Sequence, residues 1–403
     1  MSDVTDMTVD RDLAGMMTAV FSATETHFEQ AAAWDAGLWR QLGELGLTRL
    51  TGPEEDGGSG AGWPEAAALL SAAASRAVRV PLAEHDLLAC WLLSAAGLPA
   101  ADGARRTVCV VNEEGAATAV PWASSAERIV LAWKSGDAYR VAEVEASRCE
   151  ITPGHNLARE PRDDARADLS DLDGAPVDAA VIELLGLRGA LARGLQVCAV
   201  LDRIVELSVR HATERVQFGR PLARFQAVQH EIADAAAEAA LARAATEAAL
   251  AEAVRTEWGS ATLTFRIAAA RSCAGHAASV VVRNAHQVHG AIGTTLEHEL
   301  HKYTLLALAW RSEYGSVRHW DEVVTAAALE AGADGLWPLL ALDLPAWKHP
   351  CRGRHGAPEE GGALPRCAAS GQGRCPAPVR TSRSGTPVQQ HDRGPLPSHL
   401  RAR

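Results

Sequence analysis

The chain reads as a mainly α protein with one short β-rich interlude, and three observations carry that reading. Alanine dominates a 403-residue sequence that is 47% hydrophobic but only 5% aromatic, and alanine loses least when a helix forms. Leu187, Leu191, Leu195, Cys198, Leu201 and Val205 step by three or four, which marks one face of a long helix. Residues prone to form strands gather in a single stretch, 101–175.

Residues 1–100 read as an N-terminal helical domain. Trp34, Leu38, Leu42 and Leu45 recur at helical spacing, and the turn cluster from Pro53 to Gly60 ends that pattern. Residues 66–74 and 82–93 read as further buried helices, parted by Val78–Pro81. In 101–175, Thr107–Val111, Arg128–Trp133 and Tyr139–Val144 are short strand-like runs broken by glycine and polar residues. The segment from Asn156 to Asp164 is polar and reads as a solvated connector out of this reduced β region.

From 176 to 335 the helical signal returns. One long helix runs up to a Gly219-Arg220-Pro221 break, followed by helices over about 224–256, 260–287 and 295–313. Four long helices with short connections make a C-terminal four-helix bundle. Residues 346–403 differ in kind: they hold eight of the 19 prolines and nine Arg and one Lys against three acidic residues, a net +7. Such a Pro/Gly/Arg-rich segment buries too little to offset chain entropy and reads as a disordered tail.

A formal charge of −11 gives no support to binding of nucleic acid or of an anionic membrane. No uninterrupted apolar stretch reaches about 18 residues, and the start, Met1–Asp12, is acidic, unlike a secretory signal. The eight cysteines are scattered without a C-x-x-C pair, which points to a cytoplasmic chain without structural disulfides or a zinc site. His298-Glu299-Leu300-His301 has the wrong spacing for H-E-x-x-H, so His286, His289, His298 and His301 read as helix-surface histidines and no metal is expected. P-loop and Rossmann glycine patterns are absent as well.

Two runs carry chemistry. In the first, Arg215, Gln217 and Phe218 precede a Gly-Arg-Pro turn, and Phe225 and Gln226 follow it. A cation with forked donors, amides and an aromatic wall suit a bound pyrophosphate and a flat ring; a helix end with a surface arginine is the plainer reading. The second is Gln287-Val288-His289-Gly290-Ala291-Ile292-Gly293, about 70 residues on. Together they resemble the R-x-x-F-G-x-x-x-x-x-x-Q and Q-x-x-G-G-x-G segments of acyl-CoA dehydrogenases, and Pro53–Gly60 resembles that family's P-E-x-x-G-G-x-G loop.

The resemblance implies FAD held across a subunit interface, by Arg215, Gln217, Phe218 and Gln226 on one subunit and by Gln287, Gly290 and Ala291 on its neighbour. Ala291 replaces the family's second glycine, and Leu305 stands where many members have arginine. The family's Thr-Glu-Pro and Gly-Ser-Asp flavin contacts are missing from the shortened middle domain. The chemistry implied is α,β-dehydrogenation of an acyl-CoA thioester, with an electron-transfer flavoprotein or similar acceptor. The usual base is a glutamate whose pKa is raised by burial. Here Ser312-Glu313-Tyr314-Gly315-Ser316 puts Tyr314 in that slot and Glu313 one residue earlier, so Glu313 is either the base or a plain solvated glutamate. The shortened domain and displaced glutamate point to one half of a heteromeric dehydrogenase; a non-catalytic scaffold subunit and a flavin monooxygenase on the same fold are the rivals.

Overall fold

The computed structural model describes residues 8–28, 30–100 and 103–341. The tail assigned to 346–403 lies outside them. Helix α1 (Arg11–Ser22) starts where Asp10 accepts the Asp12 and Leu13 amides, and it buries Met17, Val20 and Phe21. Helix α2 (Ala36–Glu44) is capped by Asp35. The expected stripe shrinks there to Leu38 and Leu42, because Trp34 precedes the helix and Leu45 is exposed. Helix α3 (Trp63–Ser75) begins with Glu65 accepting the Gly62 amide at 2.9 Å. The turn cluster before it packs backbone on backbone: a Cβ on Gly58 would sit 2.1 Å from the Gly52 carbonyl oxygen. A π-helical segment, Ala83–Cys90, then runs into α4 (Trp91–Ala95) and buries even Glu84, His85 and Asp86.

The middle region holds seven strands in two small sheets. In the first, β1 (Arg106–Val111) lies parallel to β3 (Arg128–Ser135), β3 pairs antiparallel with β4 (Ala138–Glu145), and β4 with β7 (Ala175–Val177). In the second, β6 (Arg162–Arg166) lies between β2 (Ala116–Pro121) and β5 (Glu150–Thr152). Ile129, Leu131, Val144, Val120 and Ala165 share one apolar core across both sheets.

Helix α5 (Ala179–Glu214) follows, then the two-stranded hairpin β8 (Val216–Gln217) and β9 (Arg220–Pro221), and then α6 (Gln226–Arg255) and α7 (Leu263–His289). Small residues such as Ala235, Ala239, Ala242, Ala274, Ala277 and Ala278 fill the core these helices share. The fourth helix, α8 (Leu300–Trp310), is shorter at both ends than its pattern suggested, because a 3₁₀ turn over Gly290–Thr294 and an irregular turn after Trp310 take up the rest. A further helix, α9 (Val317–Ala341), is kinked at Gly332. Helices α5 and α9 are both long and apolar enough to span a membrane; the apolar window of α5 is 83% buried, as a core helix should be, and that of α9 is unburied.

Candidate active site

Glu313 lies in the turn after α8, at the wall of a cleft of about 950 Å³ between α8, β1, β2 and the 155–162 segment. Val110 and Leu157 line the same cleft and are 45% and 55% exposed. Apolar groups left open to water inside a concave site suit an apolar ligand.

The Glu313 carboxylate does not face that cleft alone. Arg162 donates to both of its oxygens, from Nε at 2.9 Å and from Nη2 at 2.9 Å. Arg193 donates from Nε at 2.6 Å, and Asn156 from Nδ2 at 3.0 Å. Each arginine reaches a second carboxylate, Arg162 to Glu160 at 3.2 Å and Arg193 to Glu84. Trp310 donates its indole N–H to Glu160 at 2.7 Å. The result is an alternating chain, Glu84–Arg193–Glu313–Arg162–Glu160, buried but for a small opening at Glu313. Buried charges survive only when paired in this way.

This arrangement corrects two expectations. The 156–164 segment is no solvated connector: Glu160, Arg162 and Asp163 are 3%, 7% and 1% exposed. Nor is Glu313 a glutamate of raised pKa. Burial pushes it upward, but Arg193 and Arg162 outweigh burial and hold it at about 2. A carboxylate held that low is a poor acceptor for a proton near neutral pH.

Arg271 fixes the turn itself. Buried in α7, it donates from Nη2 to the carbonyls of Trp310, Arg311 and Glu313 at 3.1, 3.0 and 2.9 Å. Those carbonyls belong to the last residue of α8 and to the turn that follows it. Tyr314, in the expected base slot, adopts φ of +56° and presses its ring against Gly189, where a Cβ would meet it at 2.4 Å.

The nucleotide-type motifs lie elsewhere. Phe218 (φ +53°) and Gly219 (φ +78°) form the two-residue turn between β8 and β9, a pairing that suits the twist of a tight hairpin. Phe218 is 90% exposed; Arg215, Gln217 and Gln226 are exposed too. Gln287, Gly290 and Ala291 at the end of α7 are likewise open to solvent. Gly290 has φ +64° and ψ −145°, a conformation reserved for glycine, and no side chain covers it. His211 and His289 stack at 4.4 Å, so both runs come to the same end of the bundle. Glu313 does not join them: it touches Arg193, and 22 residues of α5 separate Arg193 from Arg215, roughly 33 Å of helix.

His289 and His301 correct the surface reading of the histidines, at 6% and 7% exposed. Burial pulls His289 down to about 4.

Sequence reasoning missed Arg162, Arg193, Glu84 and Arg271. A signal existed for one of them. Arg193 shares the face of the longest helix opposite the leucine stripe with Val197, Val200 and Ile204, and a buried arginine implies a carboxylate to meet it.

Family models match both helical parts of the chain: the acyl-CoA dehydrogenase N-terminal domain over residues 12–102, and the acyl-CoA dehydrogenase C-terminal domain over residues 185–316. Among curated proteins, acyl-CoA dehydrogenase IpdE2 of Mycolicibacterium smegmatis is 30% identical over 289 residues, covering 70% of this chain and 84% of the relative. Acyl-CoA dehydrogenase FadE27 of Mycobacterium tuberculosis is 26% identical over 347 residues, covering 76% and 93%. The solved ChsE4–ChsE5 complex from Mycobacterium tuberculosis shares the fold at a TM-score of 0.69 and 24% identity, over 81% of this chain and 99% of that one. A variant of the Tcur3481–Tcur3483 steroid ACAD does so at 0.69 and 22%, over 80% and 98%. Both glycine-bearing runs fall inside the C-terminal match, and the chain belongs to the acyl-CoA dehydrogenase family, oxidoreductases that act on CH–CH groups.

Proposed function

We propose that this chain is one subunit of a heteromeric, FAD-dependent dehydrogenase that introduces an α,β double bond into a CoA thioester, and that the proton-abstracting base comes from its partner. The observation that carries this reading is the Glu313 clamp: the carboxylate next to the base slot is spent on two arginines. The residues fit the cofactor. A hairpin offering Arg215, Gln217 and Phe218, and a glycine backbone at Gly290 that a ligand can approach closely, suit a pyrophosphate and its adenosine, while the cleft beside Glu313 has room for a flat ring and an acyl chain. When bound, FAD would accept the hydride that leaves the β carbon. This chain's residues would then hold the dinucleotide, exclude water from the cleft and keep its wall rigid. Two structural neighbours carry paired chain names and one of them is named a steroid ACAD, which supports a bulky acyl group in the open cleft.

The rival is a scaffold subunit without flavin chemistry. Co-expression with a related dehydrogenase chain from the same host separates the two. Flavin absorbance and enoyl-CoA formation only in the joint sample are the expected result. Flavin and turnover in the lone chain would return the base to this subunit, and a joint sample without flavin would leave the scaffold reading.

A further inference from the structure

The end of the bundle that carries the two glycine-bearing runs also holds three histidines from three separate segments. His211 lies in the last turn of α5, His289 is the final residue of α7, and His298 sits in the turn before α8. One ligating atom from each lies within 4.8 Å of the other two. Their ring centroids are 4.4, 4.8 and 6.0 Å apart. Three imidazoles at tetrahedral angles around one zinc, with Zn–N of about 2.0–2.1 Å, would have centroids roughly 5 Å apart.

His289 supplies an independent sign. Its Nδ1 lies 2.8 Å from the Ala285 carbonyl, which accepts only an N–H, so Nδ1 carries the proton and Nε2 keeps a lone pair. That Nε2 is buried and has no hydrogen-bond partner. A buried acceptor left without a donor loses its hydration and gains nothing in return. A ring nitrogen that ligates a metal while its other N–H donates to a backbone carbonyl is the usual arrangement of a histidine ligand. His298 is the ligand that must rearrange, since its Nδ1 now accepts the Leu300 amide at 3.1 Å. His211 is half-buried and stacks directly on His289.

We propose that His211, His289 and His298 bind a zinc ion, with water in the fourth position. The metal would tie the end of α5 to the turn between α7 and α8, and so hold the Arg215 and Gly290 segments in one register. Imidazole is a borderline donor that suits zinc among the available divalent metals. This site does not depend on the flavin reading: a chain that binds no flavin could still hold the metal.

The test uses the full-length chain without an affinity tag, equilibrated with zinc chloride and dialysed, with bound metal measured by mass spectrometry. One zinc per chain is expected, and cobalt(II) in its place should give the intense visible bands of a tetrahedral site. His211→Asn and His289→Asn should each weaken zinc binding by more than about tenfold, the loss that removing even an outer-shell partner causes at known sites. His286→Asn, outside the cluster, should leave binding unchanged. Zinc uptake no greater than that of the His211→Asn/His289→Asn double variant would overturn the proposal. So would an octahedral cobalt spectrum from the wild-type chain, a readout that needs no variant to fold.

Discussion

At the scale of single residues, the chemistry of the cleft turns on where the Glu313 charge goes. Its side chain is 17% exposed and meets two arginines that are 6% and 3% exposed. Glu313→Gln keeps the shape but leaves both guanidinium groups short of charge. Losing one partner of a buried pair costs about 3–5 kcal/mol, and denaturant unfolding of the variant should show a loss of that order. The pH dependence follows from the direction of the shift. The folded-state value of about 2 lies below the ordinary 4.5, so the stabilisation is complete above about 4.5 and is lost as the pH falls through about 2. Acid unfolding of the wild-type chain should therefore be steeper in that window than unfolding of Glu313→Gln; equal slopes would mean that the clamp is not formed in solution. A second residue-scale prediction concerns Gly189. Alanine there would collide with the Tyr314 ring at 2.4 Å, and overpacking of this kind costs about 1–3 kcal/mol. A Gly189→Ala variant as stable as wild type would show that Tyr314 is free to leave its place.

At the scale of elements, Arg271 ties two successive helices together across 39 to 42 positions of sequence. It belongs to α7 yet satisfies three carbonyls at the end of α8, and its Nε and Nη1 are buried without partners. Arg271→Met should free those carbonyls, cost about 1–3 kcal/mol and loosen the 311–314 turn, which hydrogen exchange of the Glu313 and Tyr314 amides would report. Unchanged protection would place the stability of that turn elsewhere. The same residue shows what the sequence could and could not disclose. Helices α5, α6 and α7 were legible because their apolar period persists over seven or more turns, and β1, β3 and β4 because β-branched residues cluster between glycines. The fold family was legible from two local runs, each within about ten residues. The partners of Glu313 were not. They lie 120 to 157 positions away on α5 and in the 156–162 segment, and no local pattern distinguishes a buried polar loop from a solvated one. Four further strands emerged for related reasons: β5, β6 and β7 are three to five residues long, too short to show a period of two, and half of β2 is alanine, with few β-branched residues.

At the scale of the whole molecule, the distances argue for assembly. Roughly 33 Å of α5 separates the Arg215 hairpin from Arg193 at the Glu313 cleft, so on the proposed function the hairpin and the cleft of one chain belong to different cofactor sites. Each would serve a site completed by another subunit. The exposed surfaces agree: Phe218 is 90% exposed at the hairpin tip, and α9 leaves Leu329, Trp337 and Leu340 at 77%, 69% and 50%. Large apolar side chains left exposed along one element suit contact with another protein. If the hairpin grips the dinucleotide of a neighbouring subunit, Arg215→Ala should lower the flavin content of the co-purified complex without altering the circular dichroism or melting of this chain, because Arg215 is exposed and makes no ion pair among the described residues. A charge-assisted contact to a phosphate contributes about 1.5–3 kcal/mol, which corresponds to roughly a ten- to hundredfold weaker hold on the cofactor. The matching substitution in the partner chain should have its own effect, and the double variant should lose nearly all flavin. Retention of flavin by Arg215→Ala at wild-type level would show that the hairpin contacts a protein surface alone, and that the cofactor is held wholly within other parts of the assembly.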